Sequence, residues 1–157
     1  EENYSVCFWD PAWQALICGS ATSELDLILA QGFDGIYLDK CDVTDDLRRH
    51  FKKVASARPD LEGDMVAFVR RMADYARSKQ PDFGVIMQNA EPLLERPEVR
   101  GIIDGVAKEE LLFGVDGIEK PNSPSSRLAT CRIPSANASS SREPIAASDA
   151  RCRFGPR

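Results

Sequence analysis

Asp10, Asp39, Asn89 and Glu109 each stand where an apolar run of this chain stops or just beyond it. The runs are Ser5 to Trp9 (SVCFW), Phe33 to Leu38 (FDGIYL), Phe83 to Met87 (FGVIM) and Gly101 to Ala107 (GIIDGVA). Three carboxyl groups and one amide gathered at an edge can bind hydroxyls. Two of the acids can also share a proton-transfer reaction, one donating while the other stays ionised. Taken singly, each residue is equally an ordinary cap or loop acid; the repetition is what points to a site. Asp42, three residues past Asp39, adds a further acid, and Lys40 lies between them. Asp39-x-x-Asp42 has no histidine partner and no calcium-loop pattern, so no metal site is expected. His50 is the single histidine and follows Arg48-Arg49 in a charged stretch. Without a serine or cysteine constellation around it, a histidine-based triad is not expected.

The elements that would position these residues alternate between strand and helix. Ser5 to Trp9 is a short β-branched and aromatic run, followed by Asp10-Pro11, a cap residue with proline at the first helical position. The helix it opens carries Trp13, Leu16 and Ile17, breaks around Cys18-Gly19-Ser20, and resumes through Leu25, Ile28 and Leu29 to Gly32, a C′ glycine. A second strand runs from Phe33 to Asp39, and a polar, charge-mixed loop follows it. From Asp64 to Gln80, the residues Met65, Phe68, Val69, Met72, Tyr75 and Ala76 recur at helical spacing, and Pro81 ends the helix. FGVIM then reads as a third strand, Glu91 to Glu95 as a short helix, and GIIDGVA as a fourth strand ending at Lys108-Glu109-Glu110. Near-continuous apolar strands between helices predict a parallel sheet and an α/β fold. Ligands of such sheets bind beyond the carboxyl ends of the strands, which is why an interior strand would end in charge. Period-2 alternation puts Tyr37 on the side of Asp39, and Ile36 and Leu38 toward the helices.

Composition narrows the partners. The chain has 157 residues, 43% hydrophobic and 29% charged, with 20 Lys and Arg against 25 Asp and Glu for a net charge of -5. That is a globular composition with no basic stripe, so nucleic acid is not an expected partner. No apolar run approaches the roughly 20 residues of a membrane span, and Glu1-Glu2-Asn3-Tyr4 is not the opening of a signal peptide. Cys7, Cys18, Cys41, Cys131 and Cys152 lack C-x-x-C spacing and are expected mostly as buried thiols. With no nucleotide-binding glycine motif after a strand, no cofactor is expected.

The segments FWDPAWQALI, ILAQGFDGIYLDKCD, DMVAFVRRMADYARSKQPDFGVIMQNAEPLL and IDGVAKEELLFG together resemble glycoside hydrolase family 114, in particular its branch mislabelled as cysteinyl-tRNA synthetase-related. The resemblance spans about Tyr4 to Asn122, in the family's order. It implies a (β/α)8 barrel, a hydrolase acting on polysaccharide, endo-α-1,4-polygalactosaminidase as the family activity, and a secreted or extracellular setting. It further implies Asp39 and Glu109 as the catalytic pair, with Asp10, Tyr37, Asp42 and Asn89 lining the sugar site. Two carboxyl groups across a glycosidic bond, roughly 5 to 9.5 Å apart, are what such hydrolysis requires. Trp9, Trp13, Tyr37 and Phe113 are aromatic enough to stack on sugars and apolar enough to be core.

Several features depart from the family. A (β/α)8 barrel takes about 250 residues and eight strands, whereas four strands are spent by Phe113, so a partial barrel of about four βα units is expected over residues 1–122. Cys18 to Ser23 interrupts what is a continuous helix in the family. From Ser123 onward the chain is rich in Ser, Ala, Arg and Pro, a composition that predicts a disordered or frame-shifted tail over residues 123–157. The functional alternative is a carbohydrate-binding fragment or inactive remnant. Open barrel edges also predict self-association.

Overall fold

In the computed structural model, the described residues are 5–109. The expectations for residues 123–157, for Phe113, and for Cys131 and Cys152 lie outside them. Over the described part the chain is α/β, built on a parallel three-stranded sheet.

The first expected strand is not one. Ser5 to Trp9 leads into a turn in which the Asp10 N–H donates to the Cys7 carbonyl at 2.8 Å. Phe8 is buried, and Trp9 meets it edge-on, ring centres 4.9 Å apart, while also packing against the core. A strand sends successive side chains to opposite faces, so two adjacent aromatics that both serve the core favour a turn. Asp10 then caps α1 (Pro11–Ile17), its Oδ1 accepting from the N–H groups of Ala12 at 2.7 Å and Trp13 at 3.3 Å. The break falls where expected, with Cys18 extended and Gly19 left-handed. Ser23 caps α2 (Glu24–Ala30), and Gly32, at φ 82°, takes the C′ conformation that glycine adopts without a Cβ penalty.

The stretch expected as a polar loop is helical. It holds α3 (Val43–His50) and α4 (Lys52–Ser56), and Arg48-Arg49-His50 form the last turn of α3. Only Thr44 and Leu47 of α3 are buried, one turn apart, and three basic residues complement the negative end of the helix. Arg48 grips the Glu62 carboxylate with both terminal nitrogens, tying α3 to α5 (Leu61–Lys79). That long helix begins one turn before the expected Asp64, because Asp60 accepts the Gly63 N–H at 2.9 Å and brings Leu61 into the core. Its buried stripe includes Met65, Phe68, Val69, Met72 and Ala76, as the periodicity predicts.

β1 (Gly35–Leu38), β2 (Gly84–Gln88) and β3 (Gly105–Ala107) pair in parallel with β2 central. The register sets Tyr37 beside Ile86 and Ile86 beside Gly105. Ile36, Leu38, Val85 and Met87 join the core with α5, while Tyr37 and Ile86 on the other face are 54% and 40% exposed. The expected alternation along β1 is therefore present. The fourth expected run shortens to β3, since Ile102 and Ile103 follow two 3-10 segments (Glu91–Glu95, Pro97–Gly101) in a turn. Gly35 lies so close to β2 that a Cβ there would stand 2.6 Å from the Gly84 carbonyl oxygen, a backbone approach open only to glycine.

Two polar clusters lock the helices to each other and to the sheet. Arg77 of α5 donates to the carbonyls of Phe83 at 3.2 Å and Ile102 at 2.7 Å, and pairs with Asp104 at 2.7 Å. Asp104 in turn accepts the Val85 N–H at 2.8 Å. Asp26, buried on α2, accepts from Ser23, from Tyr75 at 2.6 Å and from Lys79 at 2.5 Å. Burial alone would raise its pKa, but the bonds from Lys79, Ser23 and Tyr75 outweigh that and hold the carboxyl below the usual range. A depressed folded pKa stabilises above the unfolded value of about 3.9, and that contribution is lost as pH falls toward the folded value. Asp26→Asn is expected to cost about 2 kcal/mol near neutral pH, with the deficit shrinking below about pH 4. Urea melts of both forms across pH check this; a deficit unchanged by acid refutes it. Among the described residues, no helix is long and apolar enough to cross a membrane.

Candidate functional site

A parallel sheet puts the carboxyl ends of its strands at one edge, and Asp39, Asn89 and Glu109 all follow strand ends there. Past β1, Asp39 Oδ1 accepts the Lys40 N–H at 2.6 Å, and Lys40 turns left-handed at φ 59°. The Lys40 carbonyl accepts the Val43 N–H at 3.2 Å, which starts α3 and leaves Asp42 as its leading residue with no side-chain cap bond. Burial raises the Asp42 carboxyl above its ordinary value, and the charges of Asp46 and Asp39 add to this against the opposing Asp42 backbone and Lys40.

Past β2, Asn89 is left-handed at φ 55°, and its N–H donates to the Ala107 carbonyl at 3.0 Å. Its side chain forms a two-way bridge with Glu109. Asn89 Nδ2 donates to Oε2 at 2.8 Å, and the Glu109 N–H donates to Asn89 Oδ1 at 3.0 Å. One amide thus fixes both the backbone and the carboxylate of Glu109. Tyr37 stands within reach of both acids: burial raises its phenol, and the charges of Glu109 and then Asp39 raise it further. Asp39, Tyr37, Asn89 and Glu109 therefore share one electrostatic neighbourhood.

Asp42 and Asn89 also line a cavity of about 290 Å³ beside this edge, with Glu91 and Lys108 on its wall, themselves ion-paired at 2.8 Å. In the sequence Lys108 stands out only as a neighbour of Glu109, and Glu91 and Thr44 do not stand out as lining residues. Nothing in the local sequence signals them, because the cavity is made by the start of α3, the start of α5 and the first 3-10 segment coming together.

Asp10 is occupied as the cap of α1, and no hydrogen bond among the described residues joins it to Tyr37, Asp39, Asp42, Asn89 or Glu109. Trp9 and Trp13 pack against the core, and the Arg58 guanidinium lies 5.3 Å from the Trp9 ring centre. His50 is an exposed residue at the end of α3. Cys18 and Cys41 are buried thiols as expected, and Cys7 is exposed. Burial, then Asp42 and Asp39, push the Cys41 thiol up to about 12, which keeps it protonated and poorly nucleophilic.

No family model matches the chain. It is similar to an uncharacterized protein of Deinococcus radiodurans, 40% identical over 108 residues, which is 69% of this chain and 31% of that protein. A second, from Thermotoga maritima, is 31% identical over 113 residues, covering 71% of this chain and 33% of the other. A third, from Methanocaldococcus jannaschii, is 34% identical over 127 residues, or 76% and 33%. The chain thus spans about a third of the length of the curated relatives it matches.

Proposed function

We propose that this sheet is part of a (β/α)8 barrel of the glycoside hydrolase family 114 type, and that the whole protein hydrolyses O-glycosidic bonds of a polysaccharide. The observation that carries the reading is the joining of Asn89 to Glu109 on the edge where Asp39 and Tyr37 also stand. Glu109 is the general acid: the amide holds one carboxylate oxygen and leaves the other for a proton. Asp39 is the nucleophile or electrostatic stabiliser, and a backbone N–H aimed at its carboxylate suits the group that must carry charge. Tyr37, Asp42 and Asn89 contact the sugar. The substrate suggested by resemblance is an α-1,4-linked galactosamine-containing polymer, and the setting is extracellular.

The direct test replaces the matching segment of the Deinococcus radiodurans relative with residues 5–109 and assays oligosaccharide release from a galactosamine polymer and other glycans. Release is expected; folded protein inert on the whole panel refutes turnover. A second reading, carbohydrate binding without turnover, is favoured by Tyr37, 54% exposed on the sheet face beside Asp39, where a sugar ring can stack. The same experiment separates the two, since a binding module retains polymer without cleaving it.

Among the described residues β1 and β3 each pair on one side only, and Tyr37 and Ile86 are exposed. Open edges of this kind support self-association of the chain. Sedimentation is expected to show dimers or larger species at micromolar concentration, and a stable monomer would refute it.

A further inference from the structure

From Leu47 to Pro59 the chain reads LRRHFKKVASARP, with five Lys and Arg, the single histidine and no acid, in a protein whose net charge is -5. The two outer arginines serve the fold. Arg48 grips Glu62, and Arg58 holds Asp64 through two nitrogens at 2.8 and 2.6 Å, so both ends of the stretch are pinned to the first turn of α5. Arg49, Lys52 and Lys53 between them are exposed, and among the described residues their side chains form no hydrogen bond or salt bridge. Asp60, the first acid after the stretch, is taken by Arg96, and Asp45 and Asp46, one turn back on α3, do not pair with Arg49.

Helix chemistry accounts for part of this charge. A cation in the last turn of α3 suits the negative end of that helix, which covers Arg49 and His50. Lys52 is the first residue of α4, the end where a helix favours acids, so the same explanation does not extend to it. Apolar side chains stand among the cations. Phe51 is 44% and Val54 37% exposed, three residues apart across the first turn of α4. An exposed phenylalanine and valine interleaved with unpaired cations suit a surface that offers phosphates and an apolar layer together. Duplex nucleic acid would use the cations and leave both apolar side chains in water, and an unpaired base could stack on Phe51 but not on Val54.

We infer that the α3–α4 junction docks on an anionic lipid surface, with Arg49, Lys52 and Lys53 meeting headgroup phosphates while Phe51 and Val54 enter the boundary between headgroups and acyl chains. The acidic remainder of the chain does not oppose this strongly, because charge is screened beyond about 10 Å at ordinary salt. Arg49 lies seven residues beyond Asp42, about 10 Å along α3. Among the described residues, none of these five lines the cavity or bonds to Asp39 or Glu109. The inference therefore does not rest on the glycosidase reading and would stand if that reading failed.

The test floats the full chain with lipid vesicles on a density gradient, a readout that self-association does not mimic because aggregates sink. On phosphatidylcholine vesicles carrying roughly a third phosphatidylglycerol, binding is expected in the millimolar lipid range, and at least about tenfold weaker on phosphatidylcholine alone. Lys52→Ala and Lys53→Ala together are expected to weaken binding by about tenfold or more, since each cation near such a surface contributes a factor of about five. Phe51→Ser is expected to weaken it by about fivefold, with circular dichroism unchanged in both variants. Equal flotation with neutral and charged vesicles overturns the inference, and so does binding like the parent's by either variant. A duplex or single-stranded oligonucleotide that binds more tightly per phosphate than the vesicles overturns it in favour of nucleic acid. Release from the vesicles by glycerol phosphate at the headgroup concentration overturns it in favour of a site for free phosphate.

Discussion

On the proposed glycosidase reading, Glu109→Gln and Asp39→Asn, introduced separately into the Deinococcus radiodurans relative carrying residues 5–109 of this chain, are each expected to lower kcat on a cleaved glycan by about a thousandfold. KM will change little. Glutamine keeps the shape of Glu109 and can still receive the Asn89 N–H at its carbonyl oxygen, so the bridge at the sheet edge survives while the transferable proton is lost. Asparagine at position 39 can still accept the Lys40 N–H but cannot ionise. Asp42→Asn and Asn89→Ala differ in kind. Asp42→Asn should act chiefly on KM. Asn89→Ala also frees Glu109, so it should lower kcat as well. Steady-state kinetics on the four variants, with circular dichroism to confirm folding, decides the matter. Turnover near the parent's for either amide variant removes that residue from the pair.

Phe83→Ala is expected to destabilise the chain by about 4 kcal/mol, a large share of the 5 to 15 kcal/mol typical of a domain. Phe83 is 1% exposed and is the largest fully buried side chain among the described residues, at the entry to the central strand. Its removal leaves a cavity in the core that the backbone at this point resists closing, because the Phe83 carbonyl is held by Arg77. Chemical denaturation measures the loss. A cost below about 1 kcal/mol would mean that the core does not centre on this residue.

The long helix was legible because its apolar residues from Met65 to Ala76 repeat at helical spacing over about three turns, a signal that survives without tertiary context. Residues Gly35 to Leu38 and Gly84 to Met87 were legible as short β-branched and aromatic runs between breakers. α3 was not, since only Thr44 and Leu47 bury and the rest of its stretch has the composition of a loop. Ser5 to Trp9 misled for the opposite reason: the same side chains serve a turn when two neighbours face one core. Within the site, the order of Asp39, Asn89 and Glu109 could be read along the chain, but the bridge between the last two could not. It depends on Gln88 lying beside Ala107, and register is a property of paired strands rather than of either run alone.

The two ends of this sheet are held by different means. At the entry to the strands, Arg77 and Asp104 bind three main-chain groups, of Phe83, Val85 and Ile102, a tie that any exchange of side chain would cut. At the exit, Asp39, Asn89 and Glu109 are fastened mostly by their own side chains, about four residues further along β2, or roughly 13 Å. Effects of substitutions that far apart, with no shared partner, add rather than couple. An exchange among the exit residues therefore leaves the entry tie in place, so the polar groups at one edge of the sheet can be altered without loosening its frame at the other.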